Sequence, residues 1–179
     1  MKRICLYGAS SATLAEAYYA AAYTIGEGLA ACGIGLVFGG GATGLMGAAA
    51  RGADSKDGEI IGVAPRFFDE EGVLYQNCTE FIFTETMRER KQTMEDLADG
   101  FIVSPGGIGT MEEFFEIFTL RQLDRHQKPI YILNTCGYYD QLLAFLNHMV
   151  DEAFMGNHCL DLLHVYDTPE ALIASLKEA

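Results

Sequence analysis

Positive charge is scarce in this chain. Its 179 residues carry 12 Lys and Arg against 25 Asp and Glu, a formal net charge of −13. A protein that grips a nucleic-acid backbone needs a basic face, so the balance argues against a nucleic acid polymer as partner. A small anionic ligand stays open, because a few local cations and helix ends outweigh the global charge at short range. Long apolar runs are also missing. No uninterrupted segment is long enough to span a bilayer, which argues against a membrane partner. Met1-Lys2-Arg3 leads straight into a short strand rather than into an apolar leader, so the expectation is a cytoplasmic protein. The five cysteines are odd in number and none forms a Cys-x-x-Cys pair. They read as reduced, mostly buried thiols. The four histidines have no metal-ligand spacing, and no metal is expected.

What is present is apolar residue in quantity, half of the chain. That suits one compact α/β domain over residues 1–179. Strand and helix patterns alternate throughout. Strands are predicted at Arg3–Tyr7, Ile34–Phe38, Ile60–Ala64, Glu80–Thr84, Gly100–Ser104 and Ile130–Leu133. Helices are predicted at about Thr13–Cys32, Leu45–Ala53, Met87–Ala98, Phe114–Leu123 and Tyr138–Glu152, with a last one to Lys177 capped by Thr168-Pro169. Gly33 stands where a helix C′ glycine belongs. Near-continuous apolar strands between amphipathic helices predict a mostly parallel sheet covered on both faces. The acidic stretch Arg66–Cys78 is the least regular part, and loops of that length often serve as lids or site walls.

Two glycine-rich turns follow strands. Gly39 to Gly44 matches G-x-G-x-x-G, but the dinucleotide fingerprint also needs an acidic residue at the end of the next strand. That strand ends in Ala64-Pro65-Arg66, so a nicotinamide cofactor is disfavoured. The bland alternative is a tight turn that lets a helix pack closely. The second turn, Pro105-Gly106-Gly107-Ile108-Gly109-Thr110-Met111-Glu112-Glu113, joins a strand to a helix. Such turns offer bare N–H groups and a positive helix end to an anion. Two carboxylates at that spot would repel a phosphate unless they act on what the phosphate carries.

The helix from Met87 puts Arg90 and Lys91 within its own apolar stripe of Met87, Met94, Leu97 and Ala98. Inward cations are costly without an anion to meet them, unless their heads snorkel back to water. Thr110-Met111-Glu112-Glu113 has the form of a capping box, with Thr110 as N-cap and Glu113 as its reciprocal partner. Capping and catalysis both remain open for these acids. A carboxylate, a phosphate grip and an inward arginine together fit cleavage of the glycosidic bond of a nucleotide. There the carboxylate stabilises an oxocarbenium-like cation and activates water, while protonation helps the base depart.

The blocks Phe38 to Gly47, Met87-Arg88-Glu89-Arg90-Lys91 and Pro105 to Glu113 resemble the LOG ("Lonely Guy") family, whose hallmark is PGGxGTxxE preceded by Met-x-x-Arg-Lys. The resemblance implies a Rossmann-like three-layer fold, a homodimer, no cofactor, and a small-molecule nucleotide substrate. It implies hydrolysis of the N-glycosidic bond of N6-modified AMP, or of AMP, to the free base and ribose 5-phosphate. By position, Arg90 and Glu113 look like the catalytic pair. Lys91, Gly106, Gly107, Gly109, Thr110 and Glu112 would line the nucleotide site, with Gly39, Gly40, Gly41, Gly44 and Met46 beside it. Many relatives carry the older label "lysine decarboxylase", yet no lysine here sits in a setting that suggests a pyridoxal phosphate Schiff base. Arg88 stands where many members have His, and the first turn reads Tyr7-Gly8-Ala9-Ser10-Ser11 where Cys-Gly-Ser-Ser is common. These departures leave base preference open. Two competing expectations are a non-catalytic nucleotide or molybdenum-cofactor carrier on the same scaffold, and a dinucleotide-dependent redox enzyme.

Overall fold

The computed structural model describes residues 2–178; Met1 and Ala179, the ends of the expected domain, lie outside the described residues. Seven strands form one sheet: β1 (Arg3–Tyr7), β2 (Gly35–Phe38), β3 (Ile60–Pro65), β4 (Glu80–Thr84), β5 (Gly100–Val103), β6 (Ile130–Leu133) and β7 (Leu163–Tyr166). The order is β4-β3-β2-β1-β5-β6-β7 and every pairing is parallel. The helices are α1 (Glu16–Ala31), α2 (Gly44–Asp54), α3 (Met87–Leu97), α4 (Ile108–Gln122), α5 (Asp140–Asp151) and α6 (Pro169–Glu178). The expected Rossmann-like α/β sandwich is therefore what the chain forms. Among the described residues, no helix is long and apolar enough to cross a membrane.

Side chains alternate across the pleat and build two cores. Ile4, Leu6, Leu36 and Phe38 pack with Ile25 and Leu29 of α1, Ala49 and Ala53 of α2, and Leu172 of α6. Cys5, Tyr7, Val37 and Val103 pack with Met94 of α3, Phe114 and Phe118 of α4, and Leu146 of α5. Helices α1 and α2 touch through glycines, since a Cβ at Gly26 would collide with the Ala49 carbonyl and one at Gly52 with the Tyr23 carbonyl. The sheet is doubly wound: the chain steps outward from β1 to β4, then restarts at β5 on the other side of β1. The crevice at that reversal, beyond the carboxyl ends of β1 and β5, is where ligands bind in such sheets.

Several expectations need correction. α1 starts at Glu16 rather than Thr13, because the Tyr19 hydroxyl accepts from the Leu14 N–H and donates to the Ser11 carbonyl, holding that segment as a loop. α1 does end as expected. Gly33 has φ +68°, and the N–H groups of Gly33 and Ile34 bond the Ala30 and Leu29 carbonyls in a Schellman arrangement. The edge strand β7 was not anticipated; its half-exposed residues lack the continuous apolar run of the inner strands. The second glycine turn holds no capping box at Thr110. α4 already begins at Ile108 with Gly107 as N-cap, and no side chain caps it. A side-chain cap of this kind belongs to α3, where Thr86 accepts from the Glu89 N–H and the Glu89 carboxylate reaches back to the N–H of Glu85, one residue before the N-cap. The apolar helix α4 buries Phe114, Ile117 and Phe118 in its own core and leaves Phe115, and Leu123 at its C-cap, exposed.

Candidate functional site

A cleft of about 540 Å³ opens at the reversal point, lined by the turns after β1, β2 and β5, by α3, and by the 66–78 loop. Hydrogen bonds stitch the three turns together. The Ala9 N–H donates to the Pro105 carbonyl (3.1 Å) and the Leu45 N–H to the Ala9 carbonyl (2.8 Å). The Thr43 hydroxyl donates to the Ser10 carbonyl (2.9 Å). Gly44 is required here twice over: its φ is +63°, and a Cβ would collide with Ala9 and Ser10. The N-caps of α2 and α4, Thr43 and Gly107, both line the cleft, and neither helix end is capped by its own side chain. Two positive helix ends therefore face one space, a setting that suits an anion.

Arg90 and Glu113 form the buried side of this cleft. Arg90 Nη1 donates to Glu113 Oε1 at 2.8 Å, and Arg90 Nε donates to the Val63 carbonyl at 3.2 Å. Their side chains are 8% and 10% exposed, which rules out snorkelling for Arg90. Burial pushes the Glu113 carboxyl above its ordinary range, and Arg90 draws it part of the way back. The guanidinium fits because residue 39 is glycine: a Cβ there would strike Arg90 Nη2. Lys91 takes a different course. It pairs with Glu112 and Glu116 on α4 and does not line the cleft. Burial pulls the Lys91 ammonium down, but the two carboxylates outweigh this and raise it.

Of the residues expected at the nucleotide site, Gly39, Gly41, Met46, Arg90, Gly107, Gly109, Thr110, Glu112 and Glu113 line the cleft. Gly40, Gly44, Gly106 and Lys91 do not. Gly40 has φ +77° and leaves room for the Phe81 ring, and Gly106 leaves room for the Thr110 side chain. The wall also contains residues outside the set expected at the nucleotide site, among them Gly8, Ser10, Phe68, Leu74 and Met87. The irregular 66–78 segment does serve as a wall. It is fixed by a bridge between Gly41 and Leu74, by the Ala42 N–H to the Val73 carbonyl and the Tyr75 N–H to the Gly40 carbonyl, and by the Tyr75 hydroxyl to Asp54 at 2.9 Å. A turn at the carboxyl end of β1 was the signal for Gly8 and Ser10, and the irregular length of the 66–78 stretch was the signal for Phe68 and Leu74, though nothing within that stretch marked Leu74 itself.

A family model described as "possible lysine decarboxylase" matches residues 46–176. A probable cytokinin riboside 5′-monophosphate phosphoribohydrolase of Oryza sativa subsp. japonica is 36% identical over 177 residues, 99% of this chain and 72% of that protein. A cytokinin riboside 5′-monophosphate phosphoribohydrolase of Mycobacterium tuberculosis is 39% identical over 164 residues, 92% of this chain and 87% of that one. Among solved structures, the molybdenum cofactor binding protein of Rippkaea orientalis superposes with a TM-score of 0.76 at 22% identity, over 99% of this chain and 96% of its own, a likeness of fold alone. The matched family model and the identity over nearly the whole chain show that the protein belongs to the LOG family.

Proposed function

We propose that the chain is a nucleoside 5′-monophosphate phosphoribohydrolase, with its residues 1–179 serving as one nucleotide-binding domain. The carrying observation is the buried Arg90–Glu113 pair set beside two helix N-termini that lack side-chain caps in one cleft. The relatives named as phosphoribohydrolases support the same reading. In this mechanism the 5′-phosphate sits at the N-termini of α2 and α4, held by backbone N–H groups of Gly107 and Gly109. The base lies toward the apolar wall of Met46, Leu74 and Met87. The C1′–N bond breaks and its electron pair leaves with the base, which takes up a proton. The resulting ribosyl cation is stabilised by the Glu113 carboxylate, which also accepts a proton from water as the water oxygen bonds to C1′. Arg90 holds Glu113 in place and orients the substrate. The remote phosphate grip keeps the reacting carbon against the carboxylate.

The test is incubation with AMP, isopentenyl-AMP, GMP, CMP and UMP. Free base and ribose 5-phosphate are expected from AMP or its N6-modified form. Folded protein that releases neither product from any of them defeats the proposal. A nucleotide that binds and is recovered intact would instead indicate a carrier.

The same reading includes a homodimer in the cytoplasm. Exposed Phe115 on α4 and Leu123 at its C-cap offer apolar surface for a second copy, and the five free cysteines suit a reducing compartment. Light scattering at micromolar concentration should give twice the chain mass; a monomer mass counts against the dimer.

A further inference from the structure

Two consecutive tyrosines grip the turn that opens α4. The Tyr138 hydroxyl donates to the Gly106 carbonyl at 2.6 Å, and the Tyr139 hydroxyl donates to the Ser104 carbonyl at 2.7 Å. Both come from the corner between β6 and α5, which is itself fixed. Asn134 Oδ1 accepts from the Tyr139 N–H at 2.7 Å, and Asn134 Nδ2 donates to Asp140. The corner turns through Cys136 and Gly137 at φ 56° and 69°. The Tyr138 ring is braced edge-on by Tyr18 of α1, at 5.9 Å between centroids.

The two hydroxyls do different work, and the difference lies in the peptide each one holds. In a trans peptide the carbonyl and the following N–H point in opposite directions. Tyr139 holds the Ser104–Pro105 peptide, and proline has no N–H to aim. Tyr138 holds the Gly106–Gly107 peptide, and Gly107 is the N-cap residue of α4 on the cleft wall. Glycine on both sides of that peptide leaves its plane free to rotate unless something fixes it. We propose that Tyr138 is a positioning residue: by holding the Gly106 carbonyl, it aims the Gly107 N–H into the cleft as a donor to the phosphate of the substrate. Tyr139 is then purely structural. It is buried and Tyr138 is 44% exposed, so removing each hydroxyl should give opposite results.

The identity of the anion rests on the phosphoribohydrolase reading, and the test separates the two. Ribose 5-phosphate, and ribose as its uncharged control, are titrated calorimetrically into the wild-type protein, Tyr138→Phe and Tyr139→Phe. AMP hydrolysis is followed in parallel. Tyr138→Phe should bind ribose 5-phosphate about five- to tenfold more weakly, with a melting temperature close to wild type. It should raise KM for AMP more than it lowers kcat. Tyr139→Phe should melt earlier and bind ribose 5-phosphate as wild type does. Unchanged affinity in Tyr138→Phe overturns the proposal, as does an equal loss in both variants or a wild-type protein that binds no ribose 5-phosphate. If ribose 5-phosphate binds and responds as expected while no nucleotide is hydrolysed, the proposed activity fails and the role of Tyr138 stands.

Discussion

Arg90 Nη1 lies 2.8 Å from Glu113 Oε1, and the pair is almost sealed from solvent although the two residues are 23 positions apart in the chain. Each charge is tolerable only because the other is there. Replacing Glu113 by Gln keeps an acceptor for Arg90 but removes the carboxylate. We expect Glu113→Gln to remain folded and kcat for AMP to fall by about 10²–10⁴-fold. Full activity in this variant would remove Glu113 from the chemistry. Arg90→Ala leaves a carboxylate buried without its cation, a change that costs about 3–5 kcal/mol in such pairs. Glu113 can take up a proton instead, so the loss should sit near the lower end, about 3 kcal/mol, in denaturant unfolding.

The same pair sets a pH dependence. Burial lifts the Glu113 carboxyl above the ordinary glutamate value of 4.5, and Arg90 only partly reverses this. The proposed chemistry needs the ionised form. Activity should therefore be full above the folded-state pKa and fall as the pH drops through it. The acid limb of a kcat/KM profile is expected to have its midpoint above 4.5. A midpoint at or below that value contradicts the assignment.

Gly39 is the position where a single methyl group should do most damage. An added Cβ collides with Arg90 Nη2 and crowds Met46 Sδ. The Arg90 head cannot move without loss, because Nε and Nη1 are already committed to Val63 and Glu113. Gly39→Ala should displace the guanidinium and lower kcat/KM about 10²-fold, the usual cost of misplacing a catalytic group by about 1 Å. Steady-state kinetics reads this directly, and a Gly39→Ala variant that keeps wild-type kcat/KM would contradict the steric cause.

Glu95, one turn beyond Lys91 on α3, should tune stability rather than chemistry. Burial, and then the Glu116 carboxylate, lift its carboxyl to about 7. The folded state thus keeps a proton that the unfolded chain has already released between 4.5 and about 7. Stability must fall as the pH rises across that window, because the folded state binds more protons there. Glu95→Gln has no such proton to lose. Its melting temperature relative to wild type should climb as the pH is raised from 4.5 to above 7. A pH-independent difference would show that the shift is absent.

Much of this was legible in the sequence for local reasons. Apolar runs such as Ile4 to Tyr7 and Ile130 to Leu133 alternate with amphipathic helices, and hydrophobic period alone carries that information. Gly33 announced the end of α1 because a left-handed residue is cheap only for glycine. Arg90 stood out because a cation within an apolar stripe needs an anion. The capping box at Thr110 misled because the pattern Thr-x-x-Glu says nothing of where a helix starts. The chain was free to begin α4 earlier, at Ile108, once Gly107 needed no side-chain cap. β7 escaped notice because an edge strand has one neighbour and need not be uniformly apolar.

The sequence by itself determined the order of the elements other than β7, the two glycine turns and the inward arginine, since each follows from local propensity or periodicity. Only the tertiary structure decided which groups meet. The parallel sheet brings α3 beside the N-terminus of α4, so that Arg90 finds Glu113 while its neighbour Lys91 finds Glu112 and Glu116. It also brings Tyr138, from beyond β6, onto the Gly106 carbonyl, and Leu74 onto Gly41. These contacts join residues far apart in the chain. Their partners are set by strand order and helix packing, which no local pattern encodes.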